Sequence, residues 1–162
     1  MQADPTPEKL LDCRLKDEWL DTAGHVSNFG LHAIFAESEE KFLTKIEIDD
    51  EYLKESGCSA ATVESHMTVV RKIEKKDKVN VSCQVLDLTN KAVHIVMDIK
   101  NSKGEICAYH ESILLSVKRT ASGAKVSPFG RYQLANLVHL SREHKDIPRP
   151  TCVGRSISIE RE

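Results

Sequence analysis

The hydrophobic spacing of this chain changes from a helical period to a period of two, and this change strongly constrains the fold. Residues 28–46 place a mainly apolar stripe at helical spacing, which predicts one long amphipathic helix. Apolar and polar residues then alternate in four runs, at 62–69, 78–85, 92–99 and 107–117. Short turn-like breaks join these runs, so we expect an antiparallel meander. A long helix followed by such a sheet must bury its stripe against one sheet face, which predicts an α+β fold.

Shorter signals complete the predicted order of elements. Residues 10–15 are a candidate first strand, and residues 49–54 are a second helix with acidic residues at its start. The small and polar run 120–124 predicts a flexible connector, with a last helix beyond it. We therefore expect one domain over residues 1–119 and a C-terminal extension over residues 120–162 that packs on the same domain.

Charge and composition argue against several classes of partner. A net charge of −2 over 162 residues, without an extended Lys/Arg block, gives no reason to expect nucleic acid. No apolar run approaches the length of a membrane span, so we expect no membrane partner. The five cysteines form no C-x-x-C pair and are typical of thiols in a reducing compartment. The N-terminus lacks the pattern of a signal peptide, and a cytoplasmic protein is the simplest expectation.

The stretch directly ahead of the long helix carries the strongest chemical signal. A helix N-terminus presents unpaired N–H groups and a partial positive charge. A carboxylate beside such an end, here Asp21, can attack a carbonyl carbon or activate a water molecule against it. The alternative is that Asp21 only caps the helix or closes a turn, and spacing alone favours this alternative.

Two motifs at fixed spacing carry a resemblance to a known family. Trp19 to Ser27 reads W-x-D-x-x-G-H-x-S, and Gly57 to His66 reads G-x-S-x-x-T-V-E-x-H. Both resemble the hotdog-fold acyl-CoA thioesterases of the 4-hydroxybenzoyl-CoA thioesterase superfamily. Within that superfamily, the chain is most similar to the group that acts on betainyl-CoA in carnitine degradation. Residues 108–117 and 148–155 extend the resemblance over nearly the whole chain.

The resemblance implies a fold, a reaction and a set of site residues. The implied fold is a hotdog fold, an antiparallel sheet wrapped around one long central helix. The implied reaction is hydrolysis of an acyl-CoA thioester, with no cofactor because water is the second substrate. The implied assembly is a homodimer or a dimer of dimers, with the site at the interface. The implied catalytic residues are Asp21, Glu64 and His25, and the implied substrate-binding residues are Gly24, Asn28, Ser59, Thr62 and His66.

Each of these residues has an ordinary structural alternative. Backbone N–H groups near Asn28 are expected to hold the thioester oxygen, and His25 either orients Asp21 or is a satisfied polar group. Glu64 is expected on one strand face with Thr62 and His66, as a second carboxylate that acts across the dimer interface. Its alternative is a solvated strand face or an ion pair across the ladder.

The sequence departs from the betainyl-CoA group where that group has tyrosines. This chain reads Phe29-Gly30-Leu31-His32 and Ala60-Ala61 there, which leaves room for a different or longer acyl group. Two other functions stay open: a hotdog acyl-CoA hydratase and a non-catalytic acyl-CoA-binding module. The hydratase pattern D-x-N-P-x-H is absent from the Asp21 stretch. No histidine or cysteine spacing suggests a catalytic metal, and Cys58 lacks the surroundings of a nucleophile.

Overall fold

The computed structural model describes residues 4–161, which form one six-stranded sheet and three α-helices. The strands are β1 (Glu8–Arg14), β2 (Cys58–Val69), β3 (Lys78–Leu88), β4 (Ala92–Lys100), β5 (Ile106–Thr120) and β6 (Gly123–Val126). The helices are α1 (Asn28–Lys45), α2 (Asp50–Ser56) and α3 (Arg131–His144), with a one-turn 3₁₀ helix at Asp17–Trp19. All strand pairs are antiparallel, so the predicted α+β class and the antiparallel sheet are confirmed.

The order of strands in the sheet is β1-β3-β4-β5-β2, and β6 pairs with β5. The meander is therefore present for β3, β4 and β5, but the prediction that it begins with β2 is wrong. Strand β2 pairs with β5, while both edges of β3 are occupied by β1 and β4. The connector over residues 70–77 is longer than a hairpin turn, and it carries the chain from one edge of the sheet towards the other.

Helix α1 packs its apolar stripe against one face of the sheet, as the period predicted. Leu31, Ile34 and Phe35 of α1 share one buried core with the alternate residues of β3, β4 and β5. We call the sheet face that carries Val81 and Met97 the inner face, and the opposite face the outer face. Residues that pair across neighbouring strands point to the same face, so the register assigns each strand residue to one of them.

A β-bulge in β2 separates the three site candidates that were expected on one strand face. The register shifts between Thr62 and Glu64, so that Thr62 pairs with Leu114 whereas Glu64 pairs with Ile113. Thr62 therefore lies on the inner face, and Glu64 and His66 lie on the outer face. The single-face expectation is wrong because one extra residue in a strand reverses the faces beyond it.

The C-terminal part of the chain completes the sheet and covers its edge. Thr120 ends β5 and pairs with Gly123 of β6, with only residues 121–122 between them. The run 120–124 is therefore a hairpin and not the flexible connector that the composition predicted. Helix α3 then buries Leu137 and Leu140 in the shared core. Beyond the end of β1, the N–H of Val85 in β3 donates to Nδ1 of His144 over 2.9 Å. His144 at the end of α3 thus supplies the hydrogen-bond acceptor for Val85, which lies beyond the part of β3 that pairs with β1.

We expect Gly30→Ala to destabilise the protein by about 1–3 kcal/mol, because the first turn of α1 lies against Trp19. A Cβ at Gly30 would clash with the carbonyl oxygen of Trp19 and would stand 2.8 Å from the Cβ of Trp19. Urea unfolding measures the effect. Helix propensity alone favours alanine over glycine by about 1 kcal/mol, so a stabilised variant would contradict the close approach.

Candidate active site at the start of the long helix

Asp21 lies in a tight loop that its own carboxylate holds closed. Oδ1 of Asp21 accepts the N–H of Ala23 over 2.9 Å and the N–H of His25 over 3.0 Å. The main chain of Asp21 bonds in the same loop, from its N–H to His25 O over 2.7 Å and from Gly24 N–H to its own O over 3.1 Å. Gly24 has a φ of +80°, a conformation that glycine adopts without strain. The turn-closing role of Asp21 is thus real, and it occupies only one carboxylate oxygen.

The loop leads directly into a helix start whose donors are only partly used. Oγ of Ser27 accepts the N–H of Gly30 over 3.0 Å and donates to the carbonyl of Trp19 over 2.9 Å. The N–H groups of Asn28 and Phe29 have no acceptor among residues 4–161. These two N–H groups and the exposed side chain of Asn28 form the candidate oxyanion site.

The connector over residues 70–77 holds this loop in place through backbone hydrogen bonds. The N–H of Val26 donates to Ile73 O over 2.9 Å, and the N–H of Lys75 donates to Gly24 O over 3.0 Å. Ile73 is 1% exposed and belongs to the core, so the loop is hydrogen-bonded to a residue that is anchored in the core. Sequence reasoning missed this role. The one sequence signal for this role was Ile73, an isolated apolar residue within the charged run R-K-I-E-K-K.

The surroundings of Asp21 favour its ionised form. The N–H of His25 is the largest influence that lowers the pKa of Asp21 below its ordinary value of 3.8. The N–H of Ala23 and the nearby charge of Lys72 lower this pKa further, against a partial loss of hydration that raises it. The Asp21 carboxylate is therefore charged at neutral pH, and its Oδ2 has no hydrogen-bond partner among residues 4–161. An exposed, ionised carboxylate oxygen can act as a nucleophile or as a general base.

His25 contacts Asp21 through its backbone, because the N–H that binds Oδ1 is the main-chain one. Its ring nitrogen Nδ1 is buried and has no partner among the described residues. The backbone of His25 also forms a bridge to Glu74 of the connector. The histidine therefore sits between the loop and its support, and its ring is not hydrogen-bonded to the carboxylate.

The predicted residues of β2 lie apart from the Asp21 loop within one chain. Ser59 borders a cleft of about 550 Å³ between α1, α2 and β2, and Thr62 Oγ1 donates to Glu39 of α1 over 2.6 Å. Glu64 and His66 border a second cleft of about 560 Å³ on the outer face. Asp21 borders neither cleft. The structure thus groups Asp21, Gly24, His25 and Asn28, and it leaves Ser59, Thr62, Glu64 and His66 elsewhere.

The outer-face cleft contains a polar contact that the sequence did not indicate. Nε2 of His94 lies 2.7 Å from Oε1 of Glu111, and the N–H of Gly154 donates to both oxygens of Glu111 over 3.0 Å. This contact fastens the chain beyond α3 onto the outer face. Glu111 therefore has a structural contact in this chain.

Two further expectations concern metals and thiols. Within residues 4–161, no three histidine, cysteine or acidic side chains are grouped so that they could hold a metal ion. Cys58 is buried, and its Sγ donates to the carbonyl of Ser56 over 3.7 Å, which is a structural contact.

No helix in the described part of the chain is long and apolar enough to cross a membrane.

Comparisons with known proteins agree on one superfamily. The model of the thioesterase-like superfamily matches residues 15–137. The betainyl-CoA thioesterase of Pseudomonas aeruginosa is 28% identical over 144 residues, which cover 88% of this chain and 89% of the relative. The L-carnitine dehydrogenase/betainyl-CoA thioesterase of Rhizobium sp. is 26% identical over 98% of this chain, which spans 31% of that longer protein.

A solved structure of a hypothetical protein from Staphylococcus aureus, in complex with CoA, has a TM-score of 0.86 to this chain. The two sequences are 15% identical, and the alignment covers 95% of this chain and 97% of the other. At this identity the likeness concerns the fold, and it confirms the predicted hotdog class.

Proposed function

The chain belongs to the thioesterase-like superfamily, and from this membership we propose that it hydrolyses an acyl-CoA thioester to the free acid and coenzyme A. The observation that carries the proposal is the Asp21 loop. An ionised carboxylate with one unused oxygen stands in the loop that leads into a helix N-terminus with two unused N–H groups. A thioester carbonyl requires this pair of functions, a nucleophile or base and a site for the developing negative charge.

In the proposed mechanism, the N–H groups of Asn28 and Phe29 bind the thioester oxygen. Oδ2 of Asp21 then attacks the carbonyl carbon, or it takes a proton from a water molecule that attacks. The negative charge moves onto the oxygen, and the CoA thiolate leaves when the C=O bond re-forms. Direct attack leaves the acyl group on Asp21 as an anhydride, which a water molecule hydrolyses to the free acid and the free Asp21 carboxylate. After attack by water, the protonated Asp21 returns its proton to the thiolate. Loss of one such donor costs roughly 3 kcal/mol in other enzymes, whereas a helix dipole contributes on the order of 1 kcal/mol. The individual N–H groups therefore contribute more than the helix dipole to stabilising the negative charge on the thioester oxygen.

The proposed substrate is betainyl-CoA or a related short acyl-CoA. The names of the two curated relatives support this class. The departures at Phe29–His32 and Ala60–Ala61 favour a related acyl group, since a trimethylammonium group is best held by aromatic faces. The remaining site candidates, Ser59, Thr62, Glu64 and His66, are proposed to act only in the assembled dimer.

The proposed assembly is a homodimer, or a dimer of such dimers, formed along β2. This strand pairs with β5 on one edge only, and its other edge has no partner strand among the described residues. Val63, at the bulge of β2, is 56% exposed, as is Val69 further along the strand. Unpaired strand edges with exposed apolar residues are commonly covered by a second chain.

We expect Val63→Lys to convert the dimer to monomer and to lower the rate of hydrolysis with it. The added charge would be buried at the interface without a partner, which opposes association. Sedimentation velocity measures the oligomeric state. Val126→Lys is the matched control, because Val126 is similarly exposed, at 52%, on the short strand β6. A dimeric Val63→Lys protein would place the interface elsewhere.

Release of free thiol from a panel of acyl-CoA substrates tests the proposed reaction. The panel holds betainyl-CoA, short straight-chain acyl-CoAs and an aromatic acyl-CoA. Thiol release supports the thioesterase, and the preferred acyl group defines the substrate. Tight acyl-CoA binding without release would indicate the non-catalytic binding module, and hydration of an enoyl-CoA would indicate the hydratase.

We also propose a cytoplasmic location. All five cysteines are free thiols in the structure, and four of them are buried. Unpaired thiols are typical of a reducing compartment. Fractionation of cells that express the full chain tests this proposal.

A further inference from the structure

The cleft of about 550 Å³ between α1, α2 and β2 combines apolar and acidic side chains, and we call it the acidic cleft. The apolar side chains that line it are buried or half-buried, whereas its carboxylates are exposed. No basic side chain among residues 4–161 lines the cleft, and none of its carboxylates forms an ion pair within that range. The apolar residues are Leu43, Ile48, Leu53 and Ala60, and the acidic residues are Glu40, Asp49, Asp50 and Glu51. The cleft therefore suits a partner that is both apolar and basic.

Residues 69–72, at the end of β2 and the start of the connector, have this complementary character, and we call them the basic segment. Val69 and Val70 are apolar, yet each is more than half exposed. Arg71 and Lys72 follow them and are also exposed. Arg71 lies 3.4 Å from a carboxylate oxygen of Glu105, whereas Lys72 is in no ion pair among the described residues. The basic segment thus presents two valines and one unpaired charge to solvent.

Backbone hydrogen bonds hold the basic segment in one conformation. The N–H groups of Val70 and Arg71 both donate to the carbonyl of Cys107 in β5, over 2.8 and 3.0 Å. Cys107 is buried in the core, and so is Ile73, which follows the segment directly. Because the segment is already ordered, its docking on a partner costs little conformational entropy.

The basic segment and the acidic cleft lie far apart within one chain. Ala60 of the cleft and Val69 of the segment are near opposite ends of β2, nine residues apart. An extended strand of that length spans about 30 Å. The two complementary surfaces can therefore meet only between two copies of the chain.

Antiparallel pairing of two β2 strands along their free edges brings these surfaces together. A two-fold axis perpendicular to the sheet relates the strands of such a pair, so the end of each strand lies beside the start of the other. With β2 fully overlapped, Val69 of one copy lies opposite Cys58 of the other. Lys72 then lies near Glu55 at the end of α2. Glu51 of the cleft is one helical turn from Glu55, about 6 Å along the helix axis.

The register of β2 places both surfaces on the same side of the extended sheet. Ala60 pairs with Ser116 and Val69 pairs with Ala108, and both pairs lie on the inner face. A two-fold axis perpendicular to the sheet keeps the inner faces of the two copies on one side. The exposed side chain of Val69 therefore lies on the side of the sheet on which α1 of the second copy packs.

We propose that the acidic cleft of each protomer receives the basic segment of a second copy of the chain, so that the dimer contains two identical contacts. The valines cover the apolar lining, and Lys72 faces the carboxylate of Glu51. This inference rests on the proposed dimer along β2 and identifies the contact that fixes its register. The basic segment continues into Ile73 and Lys75, whose backbone groups bind the Asp21 loop. Each protomer thereby anchors the Asp21 loop of the other.

Reversal of one charge on each side of the contact tests the inference. Lys72→Glu places like charges in both contacts of its homodimer, and so does Glu51→Lys. We expect each variant to weaken the dimer by at least about tenfold in Kd, measured by sedimentation velocity over a concentration series at low salt. In an equimolar mixture of the two variants, the mixed dimer has one wild-type contact and one contact with exchanged charges. The mixture should therefore dimerise within about threefold of the wild-type Kd, and thiol release should fall and recover with the dimer.

Lys103→Glu is the matched control, because it makes the same change of charge away from the contact. Lys103 is exposed in the turn between β4 and β5 and is in no ion pair among residues 4–161. This variant should leave the Kd of the dimer unchanged. Melting curves establish that all three variants are folded.

A wild-type dimer that neither charge reversal weakens overturns the inference and leaves the dimer along β2 standing. Two weakened variants whose mixture does not recover also overturn it, because the two charges then act separately. An unchanged Kd with a loss of thiol release in Glu51→Lys overturns it too, and would mean that the cleft binds substrate in place of the basic segment. A monomeric wild type rejects the proposed assembly together with the inference. Absence of thiol release from every acyl-CoA, in contrast, rejects only the proposed reaction.

Discussion

Asp21→Asn should lower kcat/KM for acyl-CoA hydrolysis by about 10²–10⁴-fold and leave the fold intact. The amide keeps an oxygen that can accept the N–H groups of Ala23 and His25, so the loop retains its closing hydrogen bonds. It lacks the negative charge that a nucleophile or base requires. The substitution therefore separates the chemical role of Asp21 from its turn-closing role, and thiol release with a matched melting curve measures both.

Two controls make this result specific. Asp17→Asn removes another exposed carboxylate nearby, one that is 3.0 Å from Lys75, and should leave the rate unchanged. Asp21→Ala removes the loop hydrogen bonds as well as the charge, so it should lose thermal stability in addition to activity. If Asp21→Asn hydrolyses thioesters at the wild-type rate, Asp21 is only a turn residue.

In the wild type, the acid limb of kcat/KM should lie below pH 3.8, because the N–H of His25 lowers the pKa of Asp21.

The elements that the sequence predicted well are those set by local periodicity. Helix α1 begins at Asn28 and ends at Lys45, close to the predicted 28–46, because its apolar stripe and the Ser27 cap are both local signals. The alternating runs likewise fall within β2 to β5. The loop of Asp21 and Gly24 is also local, so its place ahead of the helix could be predicted from the sequence, whereas a catalytic role for Asp21 was implied only by the family resemblance.

The features that sequence reasoning missed depend on contacts between distant residues. The placement of β2 beside β5 follows from strand pairing, which a run of alternating residues does not specify. The bulge near Thr62 has no composition signal, yet it moves Glu64 to the outer face. The support that Ile73 gives to Val26 depends on the fold bringing the connector under the loop.

The free energy of unfolding should fall steeply as the pH is lowered from 7 to 4.5, with His110 as the largest single cause. Burial lowers the pKa of His110 in the folded state to about 4, whereas the unfolded imidazole titrates near 6.5. Between these values the unfolded state binds more protons than the folded state. Stability is therefore fully present above pH 6.5 and is lost as the pH falls towards 4.

The expected loss from His110 alone is on the order of 2–3 kcal/mol at pH 4.5, from a pKa difference worth about 1.4 kcal/mol per pH unit. His144 acts in the same direction, because burial lowers its pKa and its Nδ1 must stay unprotonated to accept the N–H of Val85. Asp98 acts in the opposite direction, since burial raises the pKa of its carboxyl. A raised carboxyl pKa relieves a destabilising charge as the pH falls, which offsets part of the loss.

Urea unfolding of the wild type and of His110→Met, at pH 7 and at pH 4.5, isolates the contribution of His110. The variant has no imidazole at this site, so it should lose about 2–3 kcal/mol less than the wild type between the two pH values. His139→Gln is the control, because it removes an exposed histidine of α3 in place of a buried one. Equal losses in the wild type and in His110→Met would mean that His110 titrates normally, and that its ring is open to water instead of enclosed between Phe35 and the sheet.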